Sequence, residues 1–114
     1  MNVGRYNIVC PQGSTLYQKI VYKVDNAVVN LTTYTARMQV REKHSSTAKQ
    51  LELTTSNGGI TLGGALGTII INATAIQTAS LFAKEYVYDL ELVSGTTVTR
   101  IMEGKFIVTP EVTR

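Results

Sequence analysis

The side chains that could do acid–base or nucleophilic chemistry in this sequence are few and scattered. His44 is the single histidine and Cys10 the single cysteine. A catalytic histidine needs a nucleophile and an orienting carboxylate, and Glu42 would lie beside His44 along the chain rather than in a relay with it. One histidine and one cysteine cannot supply the ligands of an ordinary zinc site. The sequence therefore predicts no enzyme and no cofactor, and His44 is interpreted as a solvated loop residue.

Two groups of charged residues alternate with apolar ones, which is typical of the wet face of a strand. Arg37 and Arg41 share one parity in TARMQVRE, at 35–42, and Asp89 and Glu91 share one in EYVYDLELV, at 85–93. Carboxylates paired in this way do not make a calcium loop. We interpret both groups as solvent-facing.

The basic residues at 37, 41, 43 and 49 are the main concentration of charge. A positive groove on single-stranded nucleic acid usually carries interleaved aromatic side chains, and none are found here. Solubility and protection of a sheet edge explain the cluster equally well. Nucleic acid is therefore not expected as a partner.

Composition fits one domain without covalent staples. The chain has 114 residues, 44% of them hydrophobic, with a net charge of +3. Cys10 cannot form a disulfide within the chain and is predicted to be a small buried hydrophobe. Polar residues interrupt the first thirteen positions, so no secretion signal is expected. These features suit a protein assembled in a cytoplasm.

The stretch NGGITLGGALGTIII, at 57–71, lies inside a segment without charge from Leu53 to Ala83. Eleven polar residues interrupt that segment, so it does not predict a membrane helix. The glycine spacing matches neither GxGxxG nor the phosphate-binding P-loop. Asn57-Gly58 instead predicts a tight hairpin turn with positive φ, and Gly63–Gly67 predicts a second turn.

Period-two alternation runs through most of the chain and predicts seven to nine short strands. In 15–24, Leu16, Ile20, Tyr22 and Val24 are expected to point inward, and Asp25-Asn26 closes that strand. Gly104 is expected to mark a bulge in the last strand. The other side chains predicted to lie between two sheets are Met38, Val40, Leu51, Leu53, Tyr88, Leu90 and Leu92.

The segment TAIQTASLF, at 74–82, differs from the strands. Thr74 and Gln77 have the spacing of a capping box, which predicts a short helix. Ile76, Ala79 and Ser80 are expected to share one side of this helix. Short antiparallel strands with one helical crossover indicate an all-β sandwich or a small barrel, formed by residues 1–114 as a single domain.

Three segments carry a resemblance to a known family. They are VNLTTYTARMQVREK, LELTTSNGGITLGGALGTIIINATAIQTASL and YVYDLELVSGTTVTRIMEGKFIVTPEVTR. Together they resemble small virion proteins of tailed bacteriophages, among them the collar and tail-fibre adaptor proteins. The resemblance covers the chain from about Tyr6 to the C-terminus. It implies an immunoglobulin-like antiparallel β-sandwich with an assembly role, in a ring or as a bridge to a fibre, and it implies no catalytic motif.

The expected function is that of a virion structural protein of the tail or collar, without membrane insertion. A receptor- or carbohydrate-binding module and a capsid decoration protein are the alternatives. Self-assembly into a homo-oligomeric ring is expected, with other tail, neck or fibre proteins as partners. The ring contact is predicted to pair the Arg37/Arg41 face with Asp89/Glu91 of a neighbour, or to use the terminal segments. The predicted contact residues are Tyr6, Ile8, Arg37, Arg41, Asp89, Glu91, Val108 and Val112.

Overall fold

Strands dominate the chain. The structure is a computed structural model that describes residues 4–113. Eleven strands, one α-helix and one 3-10 turn lie in this range. The strands are β1 (Gly4–Arg5), β2 (Ile8–Pro11), β3 (Leu16–Val21), β4 (Lys23–Val24), β5 (Ala27–Val28), β6 (Thr35–Arg41), β7 (Leu51–Thr54), β8 (Ile60–Leu62), β9 (Thr68–Ala73), β10 (Glu85–Ser94) and β11 (Thr97–Thr109). The helix α1 spans Ala75–Ala79, and the 3-10 turn spans Gly64–Leu66.

The strands form two main sheets. The larger sheet has the order β1-β11-β10-β6-β7, and β2 continues the line of β1 along β11. Its pairs are antiparallel except that β1 and β2 run parallel to β11. The smaller sheet has the order β3-β9-β8 and is antiparallel. A separate hairpin, β4-β5, follows β3.

The core lies between the two sheets. All seven side chains predicted to lie there are buried, as are Ile69 and Ile71 from the facing sheet. Cys10 is also buried, as predicted, and desolvation raises the pKa of its thiol. The alternation of the sequence therefore assigned the inner faces of β6, β7 and β10 correctly.

Strand order and one corner identify the type of sandwich. One sheet contains the sequence-distant strands β11, β10 and β6, and the other contains β3, β9 and β8, which is how an immunoglobulin-type sandwich divides its strands. At the start of β10 the buried Tyr86 hydroxyl donates to the Phe82 carbonyl oxygen at 2.9 Å. This is the tyrosine corner of such sandwiches. The fold is an immunoglobulin-like antiparallel β-sandwich with one short helical crossover.

The predicted helix is present and is capped by Thr74, as predicted. Thr74 Oγ1 accepts from the Gln77 amide at 3.1 Å, and Gln77 Oε1 accepts from the Thr74 amide at 2.8 Å, so the capping box is confirmed. Ile76, Ala79 and Ser80 are all exposed, and Thr78 is the buried residue of the helix. Thr78 is held inward by polar partners, since its hydroxyl donates to the Ser14 carbonyl at 2.8 Å.

The predicted strand 15–24 divides in two. It ends at Val21, and Lys23–Val24 leave the sheet to pair with Ala27–Val28. Asp25 and Asn26 make the turn with φ values of 52° and 66°. Two successive positive φ values are those of a type I′ hairpin turn, which Asp and Asn tolerate.

The Asn57-Gly58 turn connects the two sheets rather than two paired strands. β7 belongs to the larger sheet and β8 to the smaller one, so the predicted hairpin was wrong. Gly58 has φ 81°, so the predicted positive φ is confirmed there. The turn is fixed by the Asn57 side chain, whose Oδ1 accepts from the Thr54 and Gly59 amides, both at 2.9 Å.

We expect Gly58→Val to lower the free energy of unfolding by about 1 kcal/mol or more, because a β-branched residue is poorly accommodated at positive φ. The cause is confined to the backbone, since a Cβ at Gly58 would meet no atom within 4 Å. Urea denaturation measures the change. Gly58→Asn is the control and should recover most of the loss, since Asn tolerates this conformation. An unchanged midpoint for the Val variant would contradict the turn.

The bulge in β11 lies earlier than predicted. The β10–β11 register shifts between Leu90 and Glu91, which pair with Met102 and Arg100 and leave Ile101 as the extra residue. Ile101 and Met102 are therefore both buried. Gly104 does not form the bulge, because it stays in register opposite Tyr88. Its role is a close approach, since a Cβ there would lie 2.3 Å from the Tyr6 carbonyl oxygen.

Candidate functional site

The predicted charged residues meet on the outer face of the larger sheet. Strand register places Arg37 opposite Glu91, and Glu91 opposite Arg100. Two residues before Glu91 on β10, Asp89 lies opposite Glu103. These side chains line a shallow depression of about 590 Å³. The row through Glu91 therefore alternates in sign across three strands, whereas the row through Asp89 places two carboxylates opposite each other.

Ion pairs within the chain largely neutralise this face. Arg37 Nε donates to Glu91 Oε1 at 2.8 Å. Arg100 lies 3.5 Å from Asp89 Oδ2 and 3.3 Å from Glu103 Oε1. The predicted pairing of Arg37/Arg41 with Asp89/Glu91 between two subunits stays a prediction, but the structure makes it a poor basis for a contact between two different surfaces. The two groups share one face of one chain, where Arg37 and Glu91 are already paired, so they are not separate complementary surfaces.

Arg41 and Lys49 of the basic cluster are also engaged locally. Arg41 donates to Gln39 Oε1 at 2.7 Å and to the Ser46 carbonyl, and Lys49 lies 3.3 Å from Glu52 Oε1. Arg41 thereby holds the β6–β7 connection against the sheet, and the exposed His44 lines the rim of the depression. This neutralised surface does not favour the backbone of a nucleic acid, which requires unpaired cations.

The depression offers no built arrangement for catalysis or metal binding. No group of three or more His, Cys, Asp or Glu side chains within residues 4–113 could hold a metal ion. The Tyr88 hydroxyl donates to the Tyr6 carbonyl oxygen at 2.6 Å, and burial raises the pKa of its phenol. It is therefore held as a donor rather than as a base.

Asp89 has a perturbed carboxyl group on this face. Burial raises its pKa above the usual 3.8, and Glu91 and Glu103 raise it further, while Arg100 and His44 oppose them. A carboxyl whose pKa is raised by folding stabilises the protein while protonated. That stability is present below the unfolded-state pKa and is lost as the pH rises through the folded-state pKa.

We therefore expect Asp89→Asn to raise the urea midpoint at neutral pH, because the amide removes an ionised group that folding disfavours. The gain should vanish at a pH below the usual aspartate pKa of 3.8. Glu85→Gln is the control, since Glu85 is an exposed carboxylate 3.4 Å from Lys105, and it should change little at either pH. A lower midpoint for Asp89→Asn at neutral pH would show that the Arg100 pair dominates.

The terminal segments pair inside the domain. β2 lies along β11, with Ile8 opposite Phe106 and Cys10 opposite Val108. Ile8 and Val108 are buried in the core, so their predicted role as subunit contacts was wrong. Tyr6 and Val112 are exposed and stay available, Tyr6 beside the edge and Val112 in the C-terminal tail. The apolar character of the two ends is explained mainly by pairing within the domain.

The edges of the larger sheet differ in protection. At β7 the Asn57 side chain accepts from the Thr54 amide and donates to the Glu52 carbonyl at 3.0 Å, so it takes the place of a neighbouring strand. At the opposite edge β2 pairs only with β11 among the strands of residues 4–113, and Val9 is exposed there. Pro11 removes one amide donor from this edge, which limits further strand pairing.

Large apolar side chains are exposed at both ends of the sandwich, and of these Val112 alone was predicted as a contact residue. We define the lower pole as residues 12–15, 74–83 and 110–113, and the upper pole as residues 22–34, 63–67 and 94–98. At the lower pole Ile76 is 84% exposed, Phe82 79% and Val112 91%. At the upper pole Leu66 is 71% exposed, Val98 47% and Val28 44%.

Each pole is held together by hydrogen bonds between its segments. At the lower pole Gln12 Nε2 donates to the Leu81 carbonyl at 2.7 Å, and Gln12 Oε1 accepts from the Glu111 amide at 3.2 Å. At the upper pole the Leu31 amide donates to the Gly64 carbonyl at 2.8 Å. The exposed apolar side chains therefore project from connected loops. The adjacent apolar residues Leu81 and Phe82 are the signal in the sequence, because the side chains of successive residues usually point in different directions, and Leu81 is the buried one.

Comparisons with known proteins add no family to this description. No family model matches the chain, and no curated protein matches it. Among the solved structures that are similar is one of the extracellular domains of the voltage-gated sodium channel beta4 subunit, in the form of parallel homodimers that explain its role in cell–cell adhesion. The alignment covers 98% of both chains at 10% identity with a TM-score of 0.48. A likeness this distant carries no inference about function.

No helix formed by the part of the chain that the structure describes is long and apolar enough to cross a bilayer.

Proposed function

We propose that the protein is a structural component of a tailed-bacteriophage virion. In this proposal it belongs to the tail or collar, is assembled in the cytoplasm of the bacterial host, forms a ring, and anchors tail fibres or neighbouring tail components. Its role is non-catalytic. The phage setting rests on the resemblance of the three sequence segments given above.

The observation that carries the assembly role is the exposure of large apolar side chains at both poles. Phe82 and Ile76 lie on a short segment, 74–83, that contains no charged residue. The centre of a protein interface is typically depleted of charge and enriched in aromatic residues. The larger sheet shows the opposite composition, because its outer face is covered by ion pairs. The poles are therefore the surfaces of this domain best suited to protein contacts.

Purified virions test the proposal directly. Mass spectrometry should find the protein in washed particles, and cryo-electron microscopy should show it at the tail or collar as a ring of contacting copies. Absence from particles would overturn the virion role. Copies that touch only other proteins would overturn the ring. Deletion of the gene with fibres still fully attached would overturn the fibre-anchoring role alone.

A second candidate, a carbohydrate-binding module, is favoured by one feature of the smaller sheet. Tyr17 is exposed and lies opposite Asn72 in the β3–β9 register, which places an aromatic ring beside a carboxamide. Such a pair can stack on a sugar ring and bind its hydroxyls. The Asn72 side-chain nitrogen already donates to the Gly58 carbonyl at 3.2 Å. The side-chain oxygen of Asn72 is therefore the atom that would accept a hydrogen bond from a sugar hydroxyl.

Glycan-array binding of the purified protein and of Tyr17→Ala tests this candidate. Binding by the unmodified protein that is lost in the variant would support a sugar site. Binding that persists in the variant, or no binding by either protein, would exclude Tyr17 as its centre.

A further inference from the structure

We propose that the two poles are complementary contact surfaces for a second copy of this chain, so that copies associate head to tail, the lower pole of one against the upper pole of the next. This inference rests on the proposed self-assembly but not on the phage setting. Apart from Val112, the residues of both surfaces are absent from the contacts that the sequence predicted.

The two poles lie at opposite ends of the strands. β9 runs from Thr68, at the 63–67 turn, to Ala73, where α1 follows, so the 3-10 turn and the helix occupy opposite ends of one strand. β10 then returns from the Phe82 corner to the turn at 94–97, and β11 comes back to the C-terminal tail. The strands run along a molecule measuring 42 × 27 × 25 Å. Contacts at the two poles therefore extend a row of copies, and the row closes into a ring when each contact adds a rotation.

Most of the segments that form the two poles carry no charge, and the exceptions are Lys23 and Asp25 at the upper pole and Glu111 at the lower pole. The connecting segments 26–34, 63–67 and 94–98 at the upper pole contain no charged residue, and neither does 74–83 at the lower pole. Most of the charge lies on the larger sheet, including the β6–β7 connection with His44, which borders the depression on that face. Since burial of an unpaired charge is expensive, the uncharged segments of the poles favour contact there over contact through the sheet face.

The footprint of a pole sets the expected strength of the contact. The two shorter dimensions are 27 and 25 Å. An end-to-end contact would bury on the order of 500 Å² on each copy, or about 1,000 Å² in total, which is at the lower limit for a specific interface. A single contact is therefore weak, and the closed arrangement, in which every copy makes two contacts, is the stable one.

The upper pole of one copy is better covered by the lower pole of a second copy than by that copy's upper pole. A contact between two equal poles would complete a dimer and leave an apolar pole exposed at each of its ends. A head-to-tail contact covers both poles of every copy once the arrangement closes. The two poles also have the same kind of surface, with projecting aliphatic or aromatic side chains such as Leu66 and Phe82 on uncharged loops.

Sedimentation velocity up to millimolar protein tests the proposal. The average mass of the unmodified protein should rise with concentration. Phe82→Asp at the lower pole and Leu66→Asp at the upper pole should each abolish that rise. Both side chains are exposed, so the variants should keep the unfolding midpoint. Tyr17→Asp, at an exposed aromatic outside both poles, is the matched control and should associate as the unmodified protein does.

A mixture of the two pole variants gives the sharpest outcome. Phe82→Asp keeps an intact upper pole and Leu66→Asp keeps an intact lower pole, so one head-to-tail contact remains possible between them. The mixture should form dimers and nothing larger, while each variant alone stays monomeric. Self-association of either variant alone, or a monomeric mixture, would overturn the head-to-tail arrangement.

The pole contact and the virion role can be overturned independently of each other. Unmodified protein that stays monomeric over the whole concentration range would overturn the pole contact, and particle-bound protein would still support the virion role. Protein that associates through its poles but is absent from washed virions would overturn the virion role and leave the pole contact intact.

Discussion

Leu90→Ala is expected to lower the free energy of unfolding by about 2–5 kcal/mol, because truncating a fully buried leucine removes apolar burial and leaves a cavity. Leu90 is 0% exposed and lies on the central strand β10, opposite Met38 on β6 and Met102 on β11. Neighbours on both sides are fixed by strand pairing, so the site has little room to collapse. The upper half of the range is therefore the more reasonable expectation.

Urea denaturation of Leu90→Ala and of Arg37→Ala separates the core from the outer face. Arg37 lies on the same sheet, points outward, and pairs with Glu91 across the exposed side. Loss of an exposed ion pair costs little, so Arg37→Ala should change stability by under about 0.5 kcal/mol. If Arg37→Ala were the more destabilising of the two, the assignment of the packed face of this sheet would be inverted.

The success of the sequence analysis in β6, β7 and β10 has a simple cause. These strands have one face on the core and one in water, so polar and apolar residues alternate with the period of the backbone. In β6, Ala36, Met38 and Val40 are buried, and their neighbours are more exposed. A shift of one residue would bury Arg37 and Arg41, so the pattern permits one register alone.

The pairing of strands is less readable than their faces. Asn57-Gly58 predicted a hairpin because the turn has the right residues, and the turn does form. The sequence does not state which strand continues beyond it, and β8 leaves for the other sheet because Ile60 pairs with Ile71 there. The parallel pairing of β2 with β11 joins residues about a hundred positions apart and has no local signal.

The residues of the candidate contact surfaces were also hard to predict, because their exposure and pairing depend on tertiary contacts. Charges at alternating positions identified the outer face of the sheet, but only the register shows that Arg37 and Glu91 lie opposite each other in one chain. Exposure of Phe82 follows from the corner that holds its carbonyl oxygen against Tyr86. Exposure of Leu66 follows from a 3-10 turn that contains no buried residue. Apolar residues in loops were therefore assigned by tertiary contacts and not by periodicity.

Gly104→Ala is expected to lower the free energy of unfolding by roughly 2–4 kcal/mol, through overpacking and the loss of a buried hydrogen bond. A Cβ at position 104 would lie 2.3 Å from the Tyr6 carbonyl oxygen, which is backbone and cannot rotate away. That oxygen also accepts from the buried Tyr88 hydroxyl at 2.6 Å. Moving Tyr6 to admit the methyl group would therefore leave the Tyr88 donor without its partner.

The damage should be centred on the N-terminal strands. Tyr6 lies between β1 and β2, and its amide donates to the Glu103 carbonyl at 3.0 Å. Hydrogen exchange should therefore speed up first at the amides that pair β2 with β11. Gly95→Ala is the control, because Gly95 has φ 60° but a Cβ there would meet no atom within 4 Å. It should cost about 1 kcal/mol from the backbone alone and leave exchange in β2 unchanged.

Release of the N-terminal strands would also separate two routes to assembly. If copies associate through their poles, Gly104→Ala should lower stability but keep head-to-tail association under conditions where the domain stays folded, since neither pole contains Gly104 or Tyr6. If copies instead pair along the β2 edge, loosening that edge should change association as strongly as stability. Equal protection of the β2 amides in Gly104→Ala and in the unmodified protein would show that Tyr6 yields without cost, and that Gly104 is not needed for the close approach.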